Sequence, residues 1–285
     1  MKGNRHATIE LTGPGGEPVD FRRTLASHGV AVLPPNRVDE EAWTLERTLA
    51  PGILRAVEDP PGRVSFEPPT AEATLRRMLN LDEDLSGFYA VAAEDPLLNW
   101  VSRGAGRMLC SPTVFEDVVK TICTTNCAWS ATVRMVGAIV EHLGRGSFPT
   151  PEAMAEAGDD FYRDVVRSGY RGAYLRSLAA DVAQGRINLE ALRDPELPDE
   201  EVAARLLALP GVGPYAAAHV MMLVGRYSRL ILDSWTRPTY ARRNRGRAAT
   251  DRTIERRFRR YGPYAGLAFW LYLTRDWVDD GAEPA

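Results

Sequence analysis

Residues Leu209 to Val220 read "LPGVGPYAAAHV". Two glycines flank Val212, Pro210 precedes them, and small apolar residues follow. On either side the pattern is helical: "EEVAARLLAL" (200–209) before, "YAAAHVMMLVG" (215–225) after. The spacing therefore predicts two helices joined by a tight hairpin, Pro210 to Gly213. Glycine takes backbone angles closed to other residues and carries no Cβ, so Gly211 and Gly213 allow a partner to approach the main chain. The N–H groups that open the second helix have no intrahelical acceptor and lie at the positive end of its dipole. Such an end suits a phosphate. A plain helix–helix turn also uses glycine, so the hairpin alone does not fix the function.

Outward from the hairpin, charge is uneven. The chain has 285 residues and a net charge of -3, yet twelve arginines fall between Arg226 and Arg260 against Asp233, Asp251 and Glu255. This suggests a local surface for a polyanion, or else a solvated arginine-rich helix face. Lysine is nearly absent, with only Lys2 and Lys120. Cys110, Cys123 and Cys127 are too few for a disulfide framework or a four-thiolate iron–sulfur site, and Cys123 and Cys127 read as small core residues. There is no apolar run of about 18 residues and no apolar stretch near the start, so neither a membrane span nor a signal peptide is expected. A cytoplasmic monomer is the expectation, nucleoid-associated if bacterial.

The first seventy residues carry strand and turn signals: "AWTLERTL" (42–49) alternates, and "HGVAVLPP" (28–35) and "GRVSFEPP" (62–69) are short apolar runs stopped by proline pairs. We expect a small, mostly antiparallel sheet over residues 1–70. Helical patterning begins near Thr70 and Glu72 and runs to about residue 92. It resumes after Ser111-Pro112-Thr113, and again in "FPTPEAMAEAG" (148–158) and "TDRTIERRFRRYG" (250–262). The tail "DDGAEPA" (279–285) reads as frayed. The fold class is α+β: a small N-terminal antiparallel sheet and a mostly helical, two-lobed region over 71–285, with the hairpin at 200–225.

Residues 205–243, "RLLALPGVGPYAAAHVMMLVGRYSRLILDSWTRPTYARR", resemble the helix-hairpin-helix, Gly/Pro-rich loop and aspartate of the HhH-GPD superfamily of DNA glycosylases. "FEDVVKTICTTNCAW", "GYRGAY" and "YGPYAGLAFWLYLTRDW" resemble its 8-oxoguanine DNA glycosylase branch. The N-terminal region is similar, more weakly, to that family's TATA-binding-protein-like sheet.

The resemblance implies a partner, double-stranded DNA with a damaged base, and a site. Asp233, twenty residues after Gly213, is the only acid between Glu201 and Asp251. A carboxylate beside the sugar stabilises the positive charge that develops as an N-glycosidic bond breaks, and can orient a water. It could equally cap the helix that follows. Lyase members carry a lysine where this chain has Tyr215, so a water-using, monofunctional reaction is implied. Asn126 matches the side chain that fills the gap left by a flipped base; Tyr170 and Arg171 match a wedge beside the opposite base. Gly211, Val212, Gly213 and Ala216 match the backbone that holds DNA. The carbonyls of Leu207, Leu209 and Val212 match those that hold a structural monovalent cation. No other cofactor is implied.

The lesion pocket departs from the 8-oxoguanine pattern. Phe269 and Leu273 stand where that branch has a glutamine and a phenylalanine, Ala131 replaces an arginine, and His219 replaces a cysteine. With Tyr215, Trp129 and Trp235 nearby, the pocket is expected to be aromatic. That suits a cationic ring and resembles the 3-methyladenine DNA glycosylase II branch. Trp270 and Tyr272 are expected in the core.

Overall fold

The computed structural model describes residues 6–278; the "DDGAEPA" tail lies outside them. Five strands come first: β1 (Ala7–Glu10), β2 (Asn36–Asp39), β3 (Thr44–Thr48), β4 (Ile53–Glu58) and β5 (Arg63–Glu67). They form one antiparallel sheet in the order β1-β5-β4-β3-β2. Register follows side-chain alternation: Ile9, Leu45, Leu54, Ala56, Val64 and Phe66 all face one core. The run "HGVAVLPP" is not a strand. Gly29–Val32 coils into a single 3₁₀ turn, and the amide of Leu33 closes it onto Val30. The short helix α1 (Phe21–Leu25) and α2 (Glu72–Met78) cover the sheet.

Where the sequence suggests one helix from Thr70 to about residue 92, the structure has two, α2 and α3 (Ser86–Ala93). Asn80 breaks the run with φ 53°, a left-handed angle that asparagine tolerates better than most. The remaining helices are α4 (Val114–Thr124), α5 (Trp129–His142), α6 (Pro151–Glu156), α7 (Arg171–Ala183), α8 (Asp199–Leu207), α9 (Pro214–Leu223), α10 (Thr236–Arg243), α11 (Asp251–Phe258) and α12 (Ala265–Thr274). None of the described helices is long and apolar enough to cross a membrane.

The helix α9 organises the rest. It is apolar on every side, as a helix buried all round must be. Ala216, Ala217, Val220 and Met221 enter a core built with α4, α5, α7 and α8; Ala218, Met222 and Leu223 enter a second core with α3, α11 and α12. One helix thus separates two lobes. A buried ion cluster ties the sheet to the first lobe. Arg47 on β3 holds Glu116 on α4 at 2.6 and 3.0 Å, and Lys120 reaches the same carboxylate at 2.7 Å. Burial works against ionising Glu116, but Lys120 and Arg47 hold its carboxyl below the usual value.

Candidate active site at the hairpin

Between the lobes, in front of the α8–α9 hairpin, lies a cleft of about 820 Å³. Its walls include Asn126, Tyr170, Gly211, Gly213, Tyr215, Ala216 and Asp233. Seven residues singled out from sequence therefore meet at one place, from four stretches of chain.

The two hairpin glycines do different things. Gly211 has φ 81°, and a Cβ there would stand 2.7 Å from the Tyr174 ring; only glycine fits. Gly213 has φ -94° and ψ -176°, extended backbone open to any residue, with nothing within 4 Å of a Cβ position. Its bare Cα leaves the cleft open, and its backbone freedom is not required. Gly213 precedes Pro214, which starts α9 without needing an N–H donor. Val212 is buried in the first lobe. The carbonyl of Leu209 already accepts the Val212 amide at 3.2 Å. Leu207 closes α8 beside it. Among the described residues no group of three or more His, Cys, Asp or Glu side chains could hold a metal ion.

Asp233 lines the same cleft as Tyr215. Its Oδ1 accepts the amides of Trp235 at 2.9 Å and Thr236 at 2.6 Å, while its own amide donates to Thr236 Oγ1 at 2.8 Å. The side chain thus caps α10, and that geometry fixes the carboxylate in the cleft wall. Capping and a catalytic post are compatible. Arg237, one turn on, also lines the cleft and forms a two-pronged pair with Asp251 at 2.8 and 2.9 Å. Tyr215 donates to or accepts from Thr124 Oγ1 at 3.2 Å. Burial pushes its phenol pKa up. A second depression of about 550 Å³ shares Pro214, Tyr215, Leu232 and Arg237 with the cleft, so these four form a partition.

Asn126 joins α4 to α5 with φ 47°. Asparagine is one of the few residues that occupies this region readily. Its Nδ2 reaches the Tyr170 hydroxyl at 3.4 Å. Arg171 is buried: its guanidinium donates to the carbonyls of Thr125 and Ser168 and stacks on Tyr170, 4.6 Å from the ring centre. In this arrangement Arg171 fastens the Asn126 turn to α7, and Tyr170 is the exposed member of the pair.

Other expectations fall elsewhere. Phe269 is 0% and Leu273 1% exposed; both point into the second lobe's core, Phe269 against Phe258 and Tyr240, and neither lines the cleft. The helical period of α12 puts them on its inner face. Trp270 is also buried and donates to Ser27 O at 2.8 Å. Cys123 is core, whereas half-buried Cys127 lines the cleft. Trp129 is 47% exposed and packs over Gly29. His219 lies one turn behind Tyr215, buried against His28. Thr124, Tyr174 and Arg237 are cleft residues that sequence reasoning did not single out. The arginine-rich segment is partly neutralised from outside it: Arg226, Arg229, Arg243 and Arg260 meet Asp199, Glu200, Asp276 and Asp95.

No family model matches the chain. It is 24% identical over 293 residues to the N-glycosylase/DNA lyase OGG1 of Arabidopsis thaliana, an alignment covering 94% of this chain and 77% of that protein. Among solved structures it is similar to the Clostridium acetobutylicum 8-oxoguanine glycosylase/lyase, with TM-score 0.75, 18% identity, and 95% and 96% of the two chains covered. It is likewise similar to the 3-methyladenine DNA-glycosylase of Archaeoglobus fulgidus, with TM-score 0.71, 22% identity, and 96% and 100% covered. The sheet, the two lobes and the hairpin of this chain are thus the fold of the HhH-GPD superfamily of DNA glycosylases, with likeness to both its 8-oxoguanine and its 3-methyladenine branches.

Proposed function

We propose that the protein is a monofunctional DNA glycosylase that hydrolyses the N-glycosidic bond of a flipped, damaged purine of the alkylated kind. The observation that carries this reading is Asp233, held by two backbone amides in the wall of the cleft that the hairpin also lines. Phosphate binding alone needs no acid there. As the bond between C1′ and the base nitrogen lengthens, the base takes the electron pair and the sugar becomes cationic. The Asp233 carboxylate faces that charge and orients a water to attack C1′. The hairpin amides and the positive end of α9 hold backbone phosphate. Asn126 and Tyr170 occupy the space vacated by the flipped base.

The amines among the described residues support a reaction without a lyase step. The hairpin carries Tyr215, and Lys120, 1% exposed, is committed to Glu116 in the core. Neither can attack a sugar in the cleft. An oxidised purine is the alternative substrate, favoured by the likeness in fold to the Clostridium acetobutylicum 8-oxoguanine glycosylase/lyase. The test is a panel of duplexes with one lesion each, scored for abasic-site formation and for a covalent complex under borohydride. Release of an alkylated purine without a trapped complex is the expected result. A strong trapped complex would overturn the monofunctional assignment, and no release from any duplex would overturn the enzyme.

A further inference from the structure

Of the twelve arginines between Arg226 and Arg260, five are spent on carboxylates, and Arg257 is laid over the rings of Tyr240, Phe258 and Tyr272. The other six, Arg242, Arg245, Arg247, Arg252, Arg256 and Arg259, are exposed, and none is ion-paired among the described residues. The acids of their own segment do not answer them. Asp251 is taken by Arg237. Glu255 stands three residues after Arg252 and four before Arg259, spacings at which helical side chains can meet, yet among the described residues it pairs with neither.

These six are also ordered in space. Arg252, Arg256 and Arg259 recur at helical spacing and stand on one face of α11 and its C-terminal cap. Seven residues of helix advance about 10 Å. Phosphates on one DNA strand advance about 3.4 Å each along the duplex axis, so the stripe matches about three of them. Arg242, Arg245 and Arg247 lie in and beside the turn that leads from α10 into α11. That turn is fastened from below: Arg257 donates to the Tyr240 hydroxyl at 3.0 Å and to Asn244 Oδ1 at 3.3 Å. Arginines carried by a helix and a tied turn lose less freedom on binding than arginines on a loose segment. The face is joined to the cleft as well. Arg237 lines the cleft and grips Asp251, the first residue of α11. Arg259 lines the depression that shares a wall with the cleft.

We propose that this arginine face holds the backbone of the same duplex outside the cleft, along about three phosphates of one undamaged flank. It rests on the reading that DNA occupies the cleft, and it gives the arginine-rich segment a partner of its own. Contacts from guanidinium to phosphate carry no sequence information. The face therefore adds affinity on any duplex and leaves the choice of base to the cleft.

The test uses the full chain and a duplex of about 20 base pairs, two helical turns, with a central abasic-site analogue, so that binding depends neither on turnover nor on the lesion. The variant combines Arg252→Gln, Arg256→Gln and Arg259→Gln. These positions are exposed and glutamine suits a helix, so circular dichroism should report an unaltered fold; Arg242→Gln, Arg245→Gln and Arg247→Gln together examine the turn by the same readouts. The slope of log affinity against log salt should become shallower by about 2.7, and affinity near about 0.1 M salt should fall about 100-fold. Blocks of neighbouring uncharged methylphosphonates, moved along each flank, should include one that costs the unaltered chain about as much and costs the variant nothing. Where a base is released, the single-turnover rate at saturating enzyme should stay within about twofold. An unchanged slope overturns the proposal, and is what a face built for an acidic protein would give. An equal loss from Arg37→Gln, Arg55→Gln and Arg63→Gln on the sheet overturns it too, because net charge alone would then account for the effect. If no duplex loses its base and the slope still falls, the glycosylase reading fails and the arginine face stands. If a base is released and the slope is unaltered, the face fails and the glycosylase reading stands.

Discussion

The hairpin and the C-terminal helix α12 were both expected to furnish the site, and they ended differently. At the hairpin the features that meet the cleft are backbone, a glycine with φ 81° and the amides of a helix start, and beyond it the Asp233 carboxylate is fixed by backbone amides in turn. At α12 the expected parts were the side chains Phe269 and Leu273, and both are in the core. A motif transfers reliably where residue type dictates backbone geometry. It transfers poorly where function depends on which way a helix is rotated, since rotation is set by distant packing partners.

Each side of that comparison can be broken by substitution. Phe269→Ala should cost about 3–5 kcal/mol of stability, as a buried ring removed from a packed core does, and leave the lesion preference of the folded protein unaltered; denaturant unfolding and the duplex panel measure both. A change in preference without loss of stability would return Phe269 to the pocket. Asp233→Asn should lower base release about 10²–10³-fold with little change in melting temperature, because asparagine caps helices about as well as aspartate. A matched loss of stability would mean that Asp233 is only a cap.

Gly213→Asp should weaken binding to all duplexes alike, since it places an anion where phosphate is held and disturbs no packed neighbour. For the unaltered chain, with about 3–5 phosphates neutralised, log affinity against log salt should fall with a slope of about -3 to -4.5. Salt-independent binding would remove the hairpin from the interface.

The smallest effect concerns pH. His28 and His219 are depressed to about 3 and about 4 from 6.5. The unfolded chain therefore binds more protons in that window, and their contribution to stability is full above pH 6.5 and lost as pH falls toward 4. Glu83 runs the other way: burial raises it to about 7, so its contribution is full below pH 4.5 and lost as pH rises through 7. His28→Phe combined with His219→Phe should remove the acid-side component alone. A melting profile between pH 4 and 8 that keeps it would show that other groups carry it.

Much of the fold was legible because its signals are local. Pro214 and the hairpin glycines, Thr113 as the cap of α4, and Thr250 as the cap of α11 each act within a few residues. Asp233 stood out as the lone acid in its stretch. What stayed hidden depends on three-dimensional company. "HGVAVLPP" carries β-branched residues that suit a strand, yet its amides close a 3₁₀ turn between α1 and β2. His28 gained meaning only when the fold set it against His219, 191 residues further along the chain. Arg171 looked like a reader of DNA, but the carbonyls of Thr125 and Ser168 already engage its guanidinium. No sequence pattern marks a carbonyl as taken.

The burial of Lys120 has a practical side. With lysine only at positions 2 and 120, and Lys120 locked between Glu116 and the Leu33 carbonyl, reagents that acylate amines find no lysine target among the described residues of the cleft or of the arginine-rich helices. An activated-ester dye or a surface-coupling linker would therefore leave the described cleft residues and the arginines around them chemically unaltered.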